Sequence, residues 1–123
     1  MGRVLVIEDD PETRETLEAM LEALGHEASL APTGEEGLAL LRDGMKPHYV
    51  ILDLILPGMD GWACLHRIRY MAPLLPLVVI TGDGAAPLLR GISFFGKAAA
   101  LPKPFGLAEL KGALARAEEA ADA

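Results

Sequence analysis

Residues 49–61 read Tyr49-Val-Ile-Leu-Asp53-Leu-Ile-Leu-Pro-Gly-Met-Asp-Gly61. Val50, Ile51 and Leu52 form a continuous apolar run with two β-branched members, which suits a strand covered on both faces, and the run stops on an aspartate. The Pro57-Gly58 and Asp60-Gly61 pairs then predict a loop, Leu54–Gly61, before the next helix. A carboxylate at the end of a buried strand needs a partner, because charge is costly to remove from water. The residues that reach the same end are therefore the ones to find.

Two similar runs flank this one. Val4-Leu-Val-Ile7 leads into Glu8-Asp9-Asp10, and Leu77-Val-Val-Ile80 leads into Thr81. Shorter strands are predicted at Glu27–Leu30 and at Ala98–Leu101, the second running on to Lys103. Helical patterns lie between them. Pro11 opens the first, where its missing N–H costs nothing; Leu17, Met20, Leu21 and Leu24 follow at helical spacing, and Gly25 stops it. Thr33 caps a second helix, carrying Leu38 and Leu41, that ends near Gly44. A third puts Trp62, Leu65 and Ile68 on one face, and a last one starts at Leu107 with Leu110 and Leu114 inward. Only Gly82–Gly96 resists: Pro87 offers a helix start, but Gly91 and the Phe94-Phe95 pair make a poor helix.

Five strands separated by helices argue for an α/β fold with a parallel sheet covered on both faces. In such sheets function collects beyond the C-terminal strand ends. Here that edge gathers Glu8, Asp9, Asp53, Thr81 and Lys103. Asp10 reads as a helix N-terminal charge and Asp60 as helix-start chemistry.

The bulk figures narrow the options. A length of 123 residues fits one domain, 1–123, and 51% hydrophobic content with mean hydropathy +0.29 excludes disorder. No apolar run approaches the roughly 18–20 residues that span a bilayer, and the N-terminus lacks a secretory apolar core. Cys64 is the only cysteine, so no internal disulfide forms and a cytoplasmic location fits. Cys64 reads as a small packing residue, and His26, His48 and His66 are too scattered for zinc. A net charge of −7 disfavours nucleic acid and anionic membrane, so neither is expected as a partner.

The chain resembles bacterial two-component response-regulator receiver domains over nearly its whole length. Val4-Leu-Val-Ile-Glu-Asp-Asp-Pro11 looks like the first strand and acidic pair of that family. Ile51-Leu-Asp-Leu-Ile-Leu-Pro-Gly-Met-Asp-Gly61 looks like its phosphorylation loop, while Leu77-Val-Val-Ile-Thr-Gly82 and Lys103-Pro-Phe105 look like its switch hydroxyl and lysine. Ile80-Thr-Gly-Asp-Gly-Ala-Ala-Pro87 also resembles the branch that includes nitrogen-fixation regulators. The resemblance implies a doubly wound, flavodoxin-like (βα)5 sheet of strand order 2-1-3-4-5. It implies that Asp53 accepts a phosphoryl group from a histidine kinase or phosphotransfer protein, in a reaction that needs Mg2+. Glu8, Asp9, Asp53 and the Ile55 carbonyl would hold the metal, and Thr81 and Lys103 would contact the phosphoryl oxygens. A cis Lys103-Pro104 bond is implied as well. On this reading the chain is no enzyme beyond its own modification, and the region after Thr81 meets an unknown output protein.

The sequence departs from the family in two places. An aromatic residue usually stands shortly before the lysine, and here that place is taken by Ala100, which has no ring to swing inward. The expected switch and partner face is therefore Gly82, Ala100, Phe94 and Phe95, with Leu88 and Leu89 in the same segment. Ile55 is a candidate shield for the phosphoryl group. The alternative is a degenerate receiver, a phosphorylation-independent binding module, which Ala100 favours. A haloacid-dehalogenase-like hydrolase would want a second carboxylate two residues after Asp53, where Ile55 stands.

Overall fold

The computed structural model describes residues 2–56, 59–82 and 91–120. Among these, the order is β1 (Arg3–Ile7), α1 (Pro11–Ala23), β2 (Glu27–Ala31), α2 (Gly34–Arg42), β3 (Tyr49–Asp53), β4 (Ile55–Leu56), β5 (Met59–Asp60), α3 (Gly61–Met71), β6 (Leu77–Thr81), a 3-10 turn (Ser93–Phe95), β7 (Ala98–Pro102) and α4 (Leu107–Glu119). The apolar runs become strands because each residue finds cover on its own side. Leu5, Ile7, Val50, Leu52 and Val79 join the core under α2 and α3. Val4, Val6, Ile51, Val78 and Ile80 join the core under α1 and α4. Alternation within an unbroken apolar run thus fills two separate cores.

The main sheet is parallel throughout, in the order β2-β1-β3-β6-β7. Numbered among themselves, these five strands run 2-1-3-4-5. The labels shift because of a ribbon that sequence reading took for loop: β4 and β5 pair antiparallel, Ile55 opposite Asp60 and Leu56 opposite Met59. Ile55-Leu56 and Met59-Asp60 stand two residues apart in the sequence, the spacing of a short hairpin.

Helix starts follow the expected chemistry. Asp10 caps α1, accepting from Thr13 N at 3.1 Å, with Pro11 next; Thr33 caps α2, accepting from Glu36 N at 3.1 Å. Gly25, at φ 88°, takes the left-handed turn after α1 that other residues resist. Asp60 caps α3 by accepting from Trp62 N, as its helix-start reading required. Cys64 is fully buried, and burial pushes its thiol up to about 11, in line with a packing residue. Among the described residues no helix is long and apolar enough to cross a membrane.

Candidate functional site

Parallel pairing sets the site. Ile7 stands opposite Leu52, and Asp53 opposite Ile80, so Glu8 and Asp53 emerge side by side at the C-terminal edge of the sheet. Carboxylate oxygens of Glu8, Asp9 and Asp53 all lie within 4.8 Å of one another. Glu8 is fully buried, Asp53 is 8% exposed, and Asp9 faces solvent. The cluster is therefore closed at its base and open on one side.

Its charge is poorly balanced. Lys103 brings its ammonium 3.5 Å from Asp53 Oδ2 and 4.0 Å from Glu8 Oε1. Glu8 Oε2 accepts from Asp10 N at 3.3 Å, while Glu8 Oε1 has no hydrogen-bond partner. Burial, reinforced by the Asp53 charge, pushes the Glu8 carboxyl up to about 8. Three carboxylates facing one ammonium, with a buried orphan oxygen among them, form an all-oxygen donor set. Such a set suits a hard divalent cation like Mg2+.

The supporting backbone is tied down locally. The Arg14 guanidinium donates to the Glu8 carbonyl at 2.9 Å and to the Asp9 carbonyl at 2.8 Å, anchoring both acids from the first turns of α1. Gly61 lies against the backbone of Leu54, the residue after Asp53; a Cβ on Gly61 would meet the Leu54 carbonyl oxygen at 2.0 Å. Sequence reading passed over both. Arg14 has no place in any of the motifs, and Gly61 reads as part of the Asp60-Gly61 turn. The cue for Arg14 was a lone cation within one or two turns of an acidic pair.

Other expected residues divide. Lys103-Pro104 is cis, as implied. Thr81 ends β6 beside Pro102 of β7, but its side chain lies outside the described residues, as does that of Ile55. Leu88 and Leu89 lie outside them too. Gly82 is exposed, and no atom of the described residues stands within 4 Å of where its Cβ would be. Ala100 is half-buried and packs against the α2/α3 core. The Phe94-Phe95 pair needs correcting as a joint surface: Phe94 is 82% exposed, whereas Phe95 is 6% exposed. Phe95 stacks on Trp62 (centroids 5.6 Å apart) and meets His66 edge-on at 4.9 Å, because the 3-10 turn points successive side chains apart. Of the pair, only Phe94 is exposed.

Comparison with known proteins agrees with this geometry. The family model described as the response regulator receiver domain matches residues 4–115. "Transcriptional regulatory protein AfsQ1" of Streptomyces coelicolor is 42% identical over 81 residues, covering 66% of this chain and 35% of that protein. "Response regulator MprA" of a Mycobacterium species (strain KMS) is 36% identical over 109 residues, covering 88% and 46% respectively. The chain thus spans less than half the length of these relatives. The crystal structure of NtrX from Brucella abortus superimposes with a TM-score of 0.87 at 32% identity, covering 96% of this chain and 27% of that one. The likeness to NtrX loosely supports the nitrogen-regulator resemblance. The expectation that nucleic acid plays no part finds no support among these relatives, one of which is named a transcriptional regulator. With its family model matched over nearly all its length, the chain belongs to the response regulator receiver domains, which serve two-component systems.

Proposed function

We propose that this chain accepts a phosphoryl group on Asp53 from a histidine kinase or phosphotransfer protein, and that this changes its affinity for a partner protein. The observation that carries the reading is the buried acid cluster itself: Glu8 and Asp53 share one strand edge with Asp9, and Lys103 lies 3.5 Å from Asp53 Oδ2. In this reaction an Asp53 carboxylate oxygen forms a bond to phosphorus. The phosphorus–nitrogen bond of phosphohistidine breaks, and the imidazole leaves with a proton.

Glu8, Asp9, Asp53 and the Ile55 carbonyl would hold Mg2+, which when bound supplies positive charge against the repulsion between carboxylate and phosphoryl group. Lys103 would balance charge on the phosphoryl oxygens, and the Thr81 hydroxyl would bond one of them. Arg14 keeps the backbone of Glu8 and Asp9 in register with β3. The chain catalyses no reaction but its own modification, works in the cytoplasm, and acts as one receiver unit over 1–123. Output runs through Gly82 and the segment after it, with Phe94 as the exposed contact.

Mass spectrometry after incubation with acetyl phosphate tests this. Wild type gains one phosphoryl group in Mg2+, loses that ability in EDTA, and Asp53→Asn gains none. A wild type left unmodified at every Mg2+ concentration would favour the phosphorylation-independent binding module, the reading to which Ala100 lends weight.

A further inference from the structure

Acid is unevenly spread over this chain. α1 carries Glu12, Glu15, Glu18 and Glu22, whereas the stretch from Gly61 to Pro76 carries no acid and holds His66, Arg67 and Arg69. That stretch contains α3, which packs beside α2 on the opposite face of the sheet from α1. Between the C-terminal halves of α2 and α3 lies an open cavity of about 500 Å³, lined by Leu38, Arg42, His66, Arg67, Tyr70 and Met71. Leu38 forms its buried floor, while Tyr70 is 89% exposed and Met71 38% exposed. Leu74, three residues after Met71, is 60% exposed. A phenol and a thioether left this bare, side by side, are unusual on a surface that owes nothing to the acid pocket.

The lining has the make-up of an interface centre. Tyr, Met and Arg are enriched there, and Lys, Glu and Asp depleted; this cavity has a Tyr, a Met, two Arg and none of the depleted types. We propose that the α2/α3 groove docks an acidic amphipathic helix of a partner protein. The occupant is acidic because Arg42 and Arg67 are the charged groups of the lining, on a chain whose net charge is −7. It is helical because the groove walls are helices, whose backbone groups are already paired. An incoming segment must then satisfy its own N–H and C=O groups. Its apolar stripe covers Leu38, Tyr70 and Met71, and its flanking carboxylates meet the two guanidinium groups.

The test uses the full chain and a fluorescein-labelled peptide of about 18 residues, long enough to form helix. Leucines occupy one helical stripe, with glutamates beside them; a control peptide has lysine at every glutamate position. Fluorescence anisotropy should show saturable binding of the glutamate peptide, at least about tenfold tighter than the lysine peptide. Arg42→Glu/Arg67→Glu should reverse that preference, and Tyr70→Ala should weaken the glutamate peptide by about tenfold. Asp53→Asn should bind as wild type does. Arg42, Arg67 and Tyr70 are exposed and Asp53 is buried, and thermal melts check that each variant is folded. Absence of saturable binding, equal binding of both peptides, or binding indifferent to the charge reversal would overturn the proposal. So would sedimentation showing wild-type dimers that the charge reversal dissociates, which would make the groove's occupant a second copy of this chain.

Discussion

At its N-terminal end β3 carries Tyr49, whose hydroxyl donates to the Glu118 carboxylate of α4. At its C-terminal end it carries Asp53, crowded with two further carboxylates against one ammonium. The same contrast holds across the sheet. Below β6 and β7, Arg69 of α3 donates from Nη1 to the carbonyls of Ala72, Pro73 and Leu75, and from Nη2 to that of Lys97. Nearby, Lys97 donates to the carbonyls of Glu118 and Ala120. At the lower edge, then, charge is spent on closing loops and helix ends. Each edge leaves a buried side-chain atom without a hydrogen bond, His26 Nδ1 below and Glu8 Oε1 above, but the one above is a carboxylate oxygen crowded by two further carboxylates. A fold can tolerate one such unbalanced pocket when the opposite edge is well knit, and under the proposed function the imbalance is what would let the pocket take up a cation and a phosphoryl group.

The comparison breaks most readily at Arg69. Arg69→Met removes the donor shared by four carbonyls, and should cost about 3 kcal/mol in urea unfolding. Phosphoryl labelling of Asp53 at temperatures where the variant is folded should be unchanged. A labelling rate that fell along with stability would show that the two edges are not separable. Gly61→Ala follows, at about 2 kcal/mol, because a methyl group 2.0 Å from the Leu54 carbonyl must push backbone. Unlike Arg69→Met it displaces the residue next to Asp53, so labelling should slow as well. Equal labelling in the two variants would deny Gly61 its positioning role.

Glu8→Gln turns the sign around. Replacing a buried carboxyl whose ionisation burial and Asp53 both disfavour should raise the stability of the metal-free protein near neutral pH by about 1 kcal/mol. Mg2+ affinity by calorimetry should fall roughly tenfold. Loss of stability in metal-free buffer would mean that the upper edge is as well satisfied as the lower one.

The two edges also differed in how far sequence exposed them. Val4–Ile7, Val50–Leu52 and Leu77–Ile80 announced buried strands, Glu8, Asp9 and Asp53 stood where the first two end, and Lys103 followed the shorter Ala98–Leu101 strand, so the pocket could be assembled from strand ends alone. Ile55–Leu56 with Met59–Asp60 was hidden, because a two-residue strand has too short a period to register. Arg69 was hidden for a different reason. Its role is fixed by carbonyls of Ala72, Pro73, Leu75 and Lys97, and backbone acceptors leave no trace in residue identity. Phe95 could not be told from Phe94, since only the 3-10 turn decides which ring goes inward. Chemistry written in side chains was readable in advance, and chemistry written in main-chain oxygens was not.

The gentlest probe is at Tyr49. Tyr49→Phe removes one hydrogen bond between β3 and α4 and should cost about 0.5–1 kcal/mol near neutral pH. Burial first, and the Glu118 carboxylate second, push the phenol from its ordinary 10.0 up to about 12. Because the folded value is raised, the protonated phenol is the form that the fold favours. Its contribution is complete below pH 10 and is lost as pH rises through about 12. Urea unfolding of wild type and Tyr49→Phe should therefore differ by a constant amount up to pH 10 and converge above it. A gap that stayed constant through pH 12 would mean that the hydroxyl contributes by packing alone. The lower edge would then be held by the main-chain contacts of Arg69 and Lys97, with no help from the hydrogen bond of the tyrosine at the foot of the strand that carries Asp53.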